Sequence, residues 1–116
     1  MKECELQKLI VQYLTYRGLL FYSTITQAQK RGYRTISFLK SQGFEAGIPD
    51  ILIFEKSLDE KYCGLALELK IGKNTLKKEQ SEWLESLMAR GWFATVVRDF
   101  DSAKMVIEKY LNHGGI

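Results

Sequence analysis

The only proline of the chain is Pro49, in Gly47-Ile48-Pro49-Asp50, directly ahead of the apolar run Ile51-Leu52-Ile53-Phe54. Proline fixes its own φ and has no N–H to donate, so in a sheet it belongs at the first position of a strand, at an edge or at a bulge. Gly47 permits the tight turn that precedes it. Asp50 is thereby held at the entrance of a strand. Seventeen residues later comes Leu67-Glu68-Leu69-Lys70. Alternate residues of a strand share a face, which puts Glu68 with Lys70 and turns Leu67 and Leu69 the other way. If these two strands pair as a hairpin across the charged turn Glu55 to Glu60, Asp50 and Glu68 meet, with Lys70 just beyond.

The elements around this hairpin follow from periodicity and punctuation. Leu6, Leu9, Ile10, Tyr13 and Leu14 recur at helical spacing, which predicts an amphipathic helix from Lys2 to Arg17, ended by Gly18. Leu19 to Ile25, rich in aromatic and β-branched residues, reads as a strand. Thr26 to Arg34 reads as a loop, and Thr35 to Gln42 as a short helix closed by Gly43. A helix opens at Thr75 or Lys77 and closes at Gly91; Trp92 to Arg98 is a further strand. Asp101 is placed to cap a final helix running to Leu111. The order α-β-(α)-β-β-α-β-α predicts an α/β fold with a mixed central sheet flanked by helices on both faces. No repeat or linker interrupts it, so residues 1–116 read as a single domain. With 46% apolar residues a chain of this size can build one core.

Several classes of chemistry are excluded. Cys4 and Cys63 supply neither a disulfide framework nor a four-ligand zinc site. The single histidine, His113, lies in a Gly-rich tail, which removes histidine-driven catalysis. No apolar run approaches the roughly 20 residues of a membrane span, and the start MKECELQKLIVQYL lacks a signal peptide's apolar block. The chain is therefore expected to be cytoplasmic, with no membrane partner.

The net charge of +3 conceals an asymmetry. From Leu6 to Phe44 there is no Asp or Glu, whereas Lys8, Arg17, Lys30, Arg31, Arg34 and Lys40 give that segment +6. The remainder carries −3, with eleven basic residues against fourteen acidic ones. A shorter basic run follows at Lys70, Lys73, Lys77 and Lys78. Taken alone, a basic run is a solvated face. Here Tyr22, Gln27, Gln29, Tyr33 and Phe38 interleave with the cations, which suits a surface that tracks phosphates and stacks bases.

Glu-x-Lys by itself is an ordinary surface pair, and Pro-Asp an ordinary turn. Joined at this spacing, they place two carboxylates and a lysine at the end of a sheet, which is costly unless something compensates them. A divalent cation with hard oxygen ligands, magnesium or manganese, does so. Gln80 falls with Trp83, Leu84 and Leu87 on the buried face of its helix, so its amide is expected to reach this polar site.

Gly47-x-Pro49-Asp50, Glu68-x-Lys70 and Gln80 together resemble the virus-type replication-repair nuclease (VRR-NUC) branch of the PD-(D/E)XK nucleases, over nearly the whole chain. The resemblance implies a restriction-endonuclease-like core and Mg²⁺- or Mn²⁺-dependent DNA cleavage. Carried over by position, Asp50 and Glu68 are metal ligands, assisted by the backbone carbonyl of Leu69, and Lys70 positions or activates the attacking water. The family has a glutamate on its first helix followed four residues later by glutamine. Glu3 precedes Gln7 by four and shares a face with Leu6, Ile10 and Leu14, so it is chosen over Glu5. The Ser or Thr that commonly caps the glutamine-bearing helix is replaced here by Lys77, leaving Thr75 or Asn74 to cap from upstream.

The expected wall for DNA is Arg17, Lys30, Arg31, Arg34, Lys40 and Lys73. Small stand-alone members of the resembled family look like junction-resolving enzymes. That implies a phage-type homodimer acting on branched DNA such as a Holliday junction, with Phe38, Phe44 and Tyr62 as trial pairing residues. The alternatives are a flap or duplex nuclease, or a non-catalytic DNA-binding module.

Overall fold

The computed structural model of the chain describes residues 1–24, 37, 40–43 and 45–112. Its elements are helix α1 (Glu3–Tyr16), strands β1 (Phe21–Ser23), β2 (Ile51–Ile53) and β3 (Gly64–Leu69), helix α2 (Lys78–Met88), strand β4 (Trp92–Val97) and helix α3 (Phe100–Asn112). The strands form a four-stranded sheet in the order β1-β2-β3-β4. The first two pairings are antiparallel and β3 with β4 is parallel, so the sheet is mixed as expected. The parallel step requires a crossover, and α2 supplies it.

Helices cover both faces. Leu6, Ile10 and Leu14 of α1 and Ala103, Ile107 and Tyr110 of α3 pack on Ile51, Ile53, Leu65, Leu67, Leu69 and Val97. On the other face Leu84 of α2 packs on Ala66 and Ala94. The strict alternation of β3 divides it between them: Leu65, Leu67 and Leu69 face the large cluster, and Ala66 the small one. Arg17 and Glu108 tie α1 to α3 through two 2.8 Å bonds, and the Tyr13 hydroxyl also donates to Glu108.

Element ends depart from the sequence-based expectation for local reasons. The cap of α3 is Asp99, whose Oδ1 accepts the Ser102 N–H at 2.7 Å, rather than Asp101. Neither Thr75 nor Asn74 caps α2. Lys77 is the N-cap residue, in extended conformation without a side-chain cap bond, and Gln80 Oε1 accepts its N–H at 2.8 Å. β1 is confined to three residues of the expected Leu19 to Ile25. The expected loop over 26–34 and half of the helix over 35–42 lie outside the described residues. The end of that stretch closes as anticipated, with Gly43 at φ 101° and its N–H on the Lys40 carbonyl at 3.0 Å.

Candidate active site at the end of the sheet

The β2–β3 register pairs Ile51 with Leu67. One step further along antiparallel strands, Asp50 stands opposite Glu68. Pro49 and Asp50 are both buried at this entrance. Asp50 turns back on the neighbouring strand, and its Oδ2 accepts the Leu69 N–H at 2.8 Å. Glu68 and Lys70 project to the α2 side and are nearly inaccessible, at 2% and 6% exposure. Neither ion pair found among the described residues, Arg17–Glu108 and Lys56–Glu60, involves Lys70.

Gln80 reaches the site from the first turn of α2. Its Nε2 donates to Glu68 Oε2 at 3.2 Å, while its Oε1 holds the Lys77 N–H. One side chain thus fixes a carboxylate and the start of its own helix together. Gly47 makes that approach possible. It sits at φ 91°, and a Cβ there would fall 2.7 Å from the backbone carbon of Glu79. Glycine is needed here both for its conformation and for the space it leaves to α2.

The other carboxylate oxygen, Glu68 Oε1, is buried with no hydrogen-bond partner. An unpaired buried acceptor costs the full desolvation of that group. Burial, then the adjacent Asp50 carboxylate, drives the Glu68 carboxyl up to about 9. Burial also raises Asp50, opposed by its bond from the Leu69 N–H. Glu3 adds negative potential to both. Among the described residues no three His, Cys, Asp or Glu side chains gather into a ready-made cage. Two hard oxygen donors, one of them without a partner, in a site destabilised by its own charge, fit a small divalent cation. Such ions are commonly held by one or two carboxylates, with water and phosphate completing the shell.

An open cleft of about 1080 Å³ lies over these groups. Its floor includes Asp50, Glu68, Leu69 and Lys70, and its sides include Glu3 and Gln7 of α1 and Gln80 of α2. Gln7 ties α1 to the sheet end, with Nε2 2.6 Å from Ser23 Oγ and 3.3 Å from the Thr24 carbonyl. Glu3 therefore lies on the cleft, whereas Glu5 turns away and accepts the Lys2 N–H at 3.1 Å. The structure brings together Asp50, Glu68, Lys70, Gln80 and Glu3.

The cationic rim differs in part from the expected one. Lys40 lines the cleft, joined by Lys77 of the second basic run and by Lys2, which sequence reasoning did not single out. Lys73 is exposed on the adjoining β3–α2 loop. That loop is held by Arg98, whose Nη1 donates to the carbonyls of Gly72 at 3.0 Å and Asn74 at 2.8 Å. Arg17 is placed elsewhere: it closes the far end of α1 on Glu108, about 20 Å along the helix from Glu3. Lys30, Arg31 and Arg34 lie outside the described residues. Of the trial pairing residues, Phe38 and Phe44 also lie outside them. Tyr62 is half-buried and packs edge-on against Phe93, so its ring is already occupied.

A family model described as the VRR-NUC domain matches residues 2–100. A solved structure described as a "VRR_NUC domain protein" superposes with a TM-score of 0.74 at 23% identity, covering 95% of this chain and 88% of that one. At that identity the likeness bears on the fold. No curated protein matches the chain. None of the described helices is long and apolar enough to cross a membrane.

Proposed function

The chain belongs to the VRR-NUC family of nuclease-type DNA-processing domains, and from that premise we propose that it is a metal-dependent endonuclease acting on branched DNA. The observation that carries the reading is the buried, partnerless Glu68 Oε1 beside Asp50 at the floor of an open cleft. Asp50 and Glu68 are the proposed ligands of Mg²⁺ or Mn²⁺, with the Leu69 carbonyl as a third donor and Glu3 beyond them. When bound, the cation supplies Lewis-acid stabilisation of phosphoryl charge and a lowered pKa for water.

The protein's own groups do the rest. The Leu69 N–H fixes Asp50, and the Gln80 amide fixes one oxygen of Glu68, leaving the other aimed at the ligand. Both carboxylates are thereby held before substrate arrives, which lowers reorganisation during the reaction. Lys70, on the same face as Glu68, places a cation where the pentacoordinate phosphate gathers negative charge, and it orients the attacking water. Lys2, Lys40 and Lys77 at the rim attract the strand and contact its phosphates.

The substrate reading rests on size. Once the core is built, a domain of this size has little surface of its own left for reading a long sequence. Recognition by shape, at a four-way junction, is the favoured mode, with a homodimer presenting two sites to two strands. The test incubates junction, flap and linear duplex with Mg²⁺ or Mn²⁺, alongside Asp50→Ala, and measures particle mass by light scattering. Metal-dependent cuts confined to branched DNA, lost in the variant and made by a dimer, are expected. Binding without cutting would leave a DNA-binding module in place of a nuclease. Equal cutting of every substrate would remove the branch preference.

A further inference from the structure

Helix α2 borders a second groove, of about 680 Å³. Lys40, Ala46 and Glu79 line both this groove and the catalytic cleft, so the two adjoin across the Gly47–Glu79 contact. Trp83 lies on its wall. Sequence periodicity assigns Trp83 to the buried face of α2, and its neighbours Leu84 and Leu87 do pack on the sheet. Trp83 itself is only half-buried, and among the described residues it belongs to neither apolar cluster. It follows Gln80, which holds Glu68, by three residues, about 4.5 Å along the helix and on a neighbouring face. That is a reach of about one nucleotide from the proposed reacting phosphate.

The groove's charge describes its occupant. Glu45, Glu79 and Glu82 oppose Lys40 and Arg90, a balance of one negative charge. A phosphate gains nothing there. A flat, uncharged group with hydrogen-bonding edges does, and carboxylates suit the amino and imino N–H groups of nucleobases. Arg90 is anchored by a 2.9 Å bond from Nη1 to the Ser86 carbonyl, which fixes a guanidinium at the groove's end. Aromatic faces beside a cationic phosphate track are the usual means of holding unpaired bases.

We propose that this groove receives an unpaired base from the nucleotide next to the scissile phosphate, stacked on Trp83. The proposal rests on the nuclease reading and specifies its substrate: DNA already unpaired at the cut. Extracting a base from continuous duplex requires unpairing and unstacking it, whereas a branch point has met much of that cost. The Trp83 groove thus selects branch points without reading their sequence.

The experiment measures binding of junction and flap DNA in EDTA, so that no cutting intervenes. A single abasic residue is scanned through the nucleotides at the branch, against wild type, Trp83→Ala and Trp83→Phe. For wild type, one abasic position is expected to weaken binding roughly tenfold. Trp83→Ala should show that loss on intact DNA and no further loss on abasic DNA, as expected of two changes that remove one contact. Trp83→Phe should restore most of it. A folded Trp83→Ala protein that discriminates base from abasic DNA as wild type does would overturn the proposal. Should Trp83→Ala fail to fold, the emission of Trp92→Phe protein, whose one indole is Trp83, decides: quenching by intact but not abasic DNA supports the contact, and identical emission with both refutes it. Because binding is read, a protein that never cuts DNA still reports on the groove, separating its failure from that of the nuclease reading.

Discussion

The two faces of the sheet are made from alternate residues of the same strands and are built for different ends. Toward α1 and α3, the side chains of β3 are Leu65, Leu67 and Leu69, sealed into an apolar cluster that includes Leu6, Ile10, Ile107 and Tyr110. Toward α2, the same strand shows Ala66 and then Glu68, with Lys70 following, and the apolar cluster is small: Ala66, Leu84 and Ala94. The first face gains free energy by burial. The second spends part of it on Asp50, Glu68 and Lys70, buried polar groups of which the two carboxylates repel each other. On the proposed reading, stability and chemistry are thus divided across a layer one strand thick.

Substitutions on the two faces should separate activity from stability. The largest effect is expected for Asp50→Asn, which removes the charge of a proposed metal ligand while keeping an acceptor for the Leu69 N–H. DNA cleavage should fall on the order of a thousandfold, equivalent to several kcal/mol of lost transition-state stabilisation. Its melting temperature should match or exceed that of wild type. Leu67→Ala, one residue from Glu68 but on the opposite face, should do the reverse. It should lose about 2–5 kcal/mol in denaturant unfolding and keep its turnover at low temperature. A Leu67→Ala protein that is stable but inactive would break the division.

The faces should also respond oppositely to pH. Between α1 and α3, the guanidinium of Arg17 holds the Glu108 carboxyl down at about 2. Its stabilising contribution is present above the ordinary carboxylate pKa and is lost as pH falls toward 2. Glu68 is shifted the other way, toward 9, so the folded protein binds its proton more tightly than the unfolded chain does. Metal-free protein should therefore lose stability as pH rises from about 4.5 toward 9. Melting curves across pH should show the acid loss softened in Glu108→Gln and the alkaline loss removed in Glu68→Gln. The smallest effects distinguish cations. Arg17→Ala should cost about 1 kcal/mol or less and leave the salt dependence of DNA binding unchanged, whereas Lys40→Ala should lower that slope by about 1.

Much of this division was legible in the sequence, because a strand's period of two sorts Leu67 and Leu69 from Glu68 and Lys70 without further information. The lone proline fixed where Asp50 had to stand, and helical spacing separated Glu3 from Glu5. Less was legible where two distant elements meet. That Gly47 makes room for the Glu79 backbone depends on how α2 crosses the sheet, which no local pattern encodes. The placement of Lys2 on the cleft is of the same kind. Arg17 looked like part of a basic wall because its partner, Glu108, is ninety-one residues away. Trp83 fitted a buried stripe by angle alone, but the sheet beneath is covered by Leu84 and Leu87 before the indole is reached.

Thermal unfolding near pH 8, with and without Mn²⁺, for wild type and Glu68→Gln, tests most directly whether the polar face is a metal site. A cation bound only by the folded state stabilises it by about 2.7 kcal/mol at a hundredfold excess over Kd. Wild type should gain several degrees on adding Mn²⁺. Glu68→Gln should start higher than metal-free wild type and gain little. Equal gains in both proteins, or none in wild type at millimolar Mn²⁺, would contradict a cation held by Asp50 and Glu68.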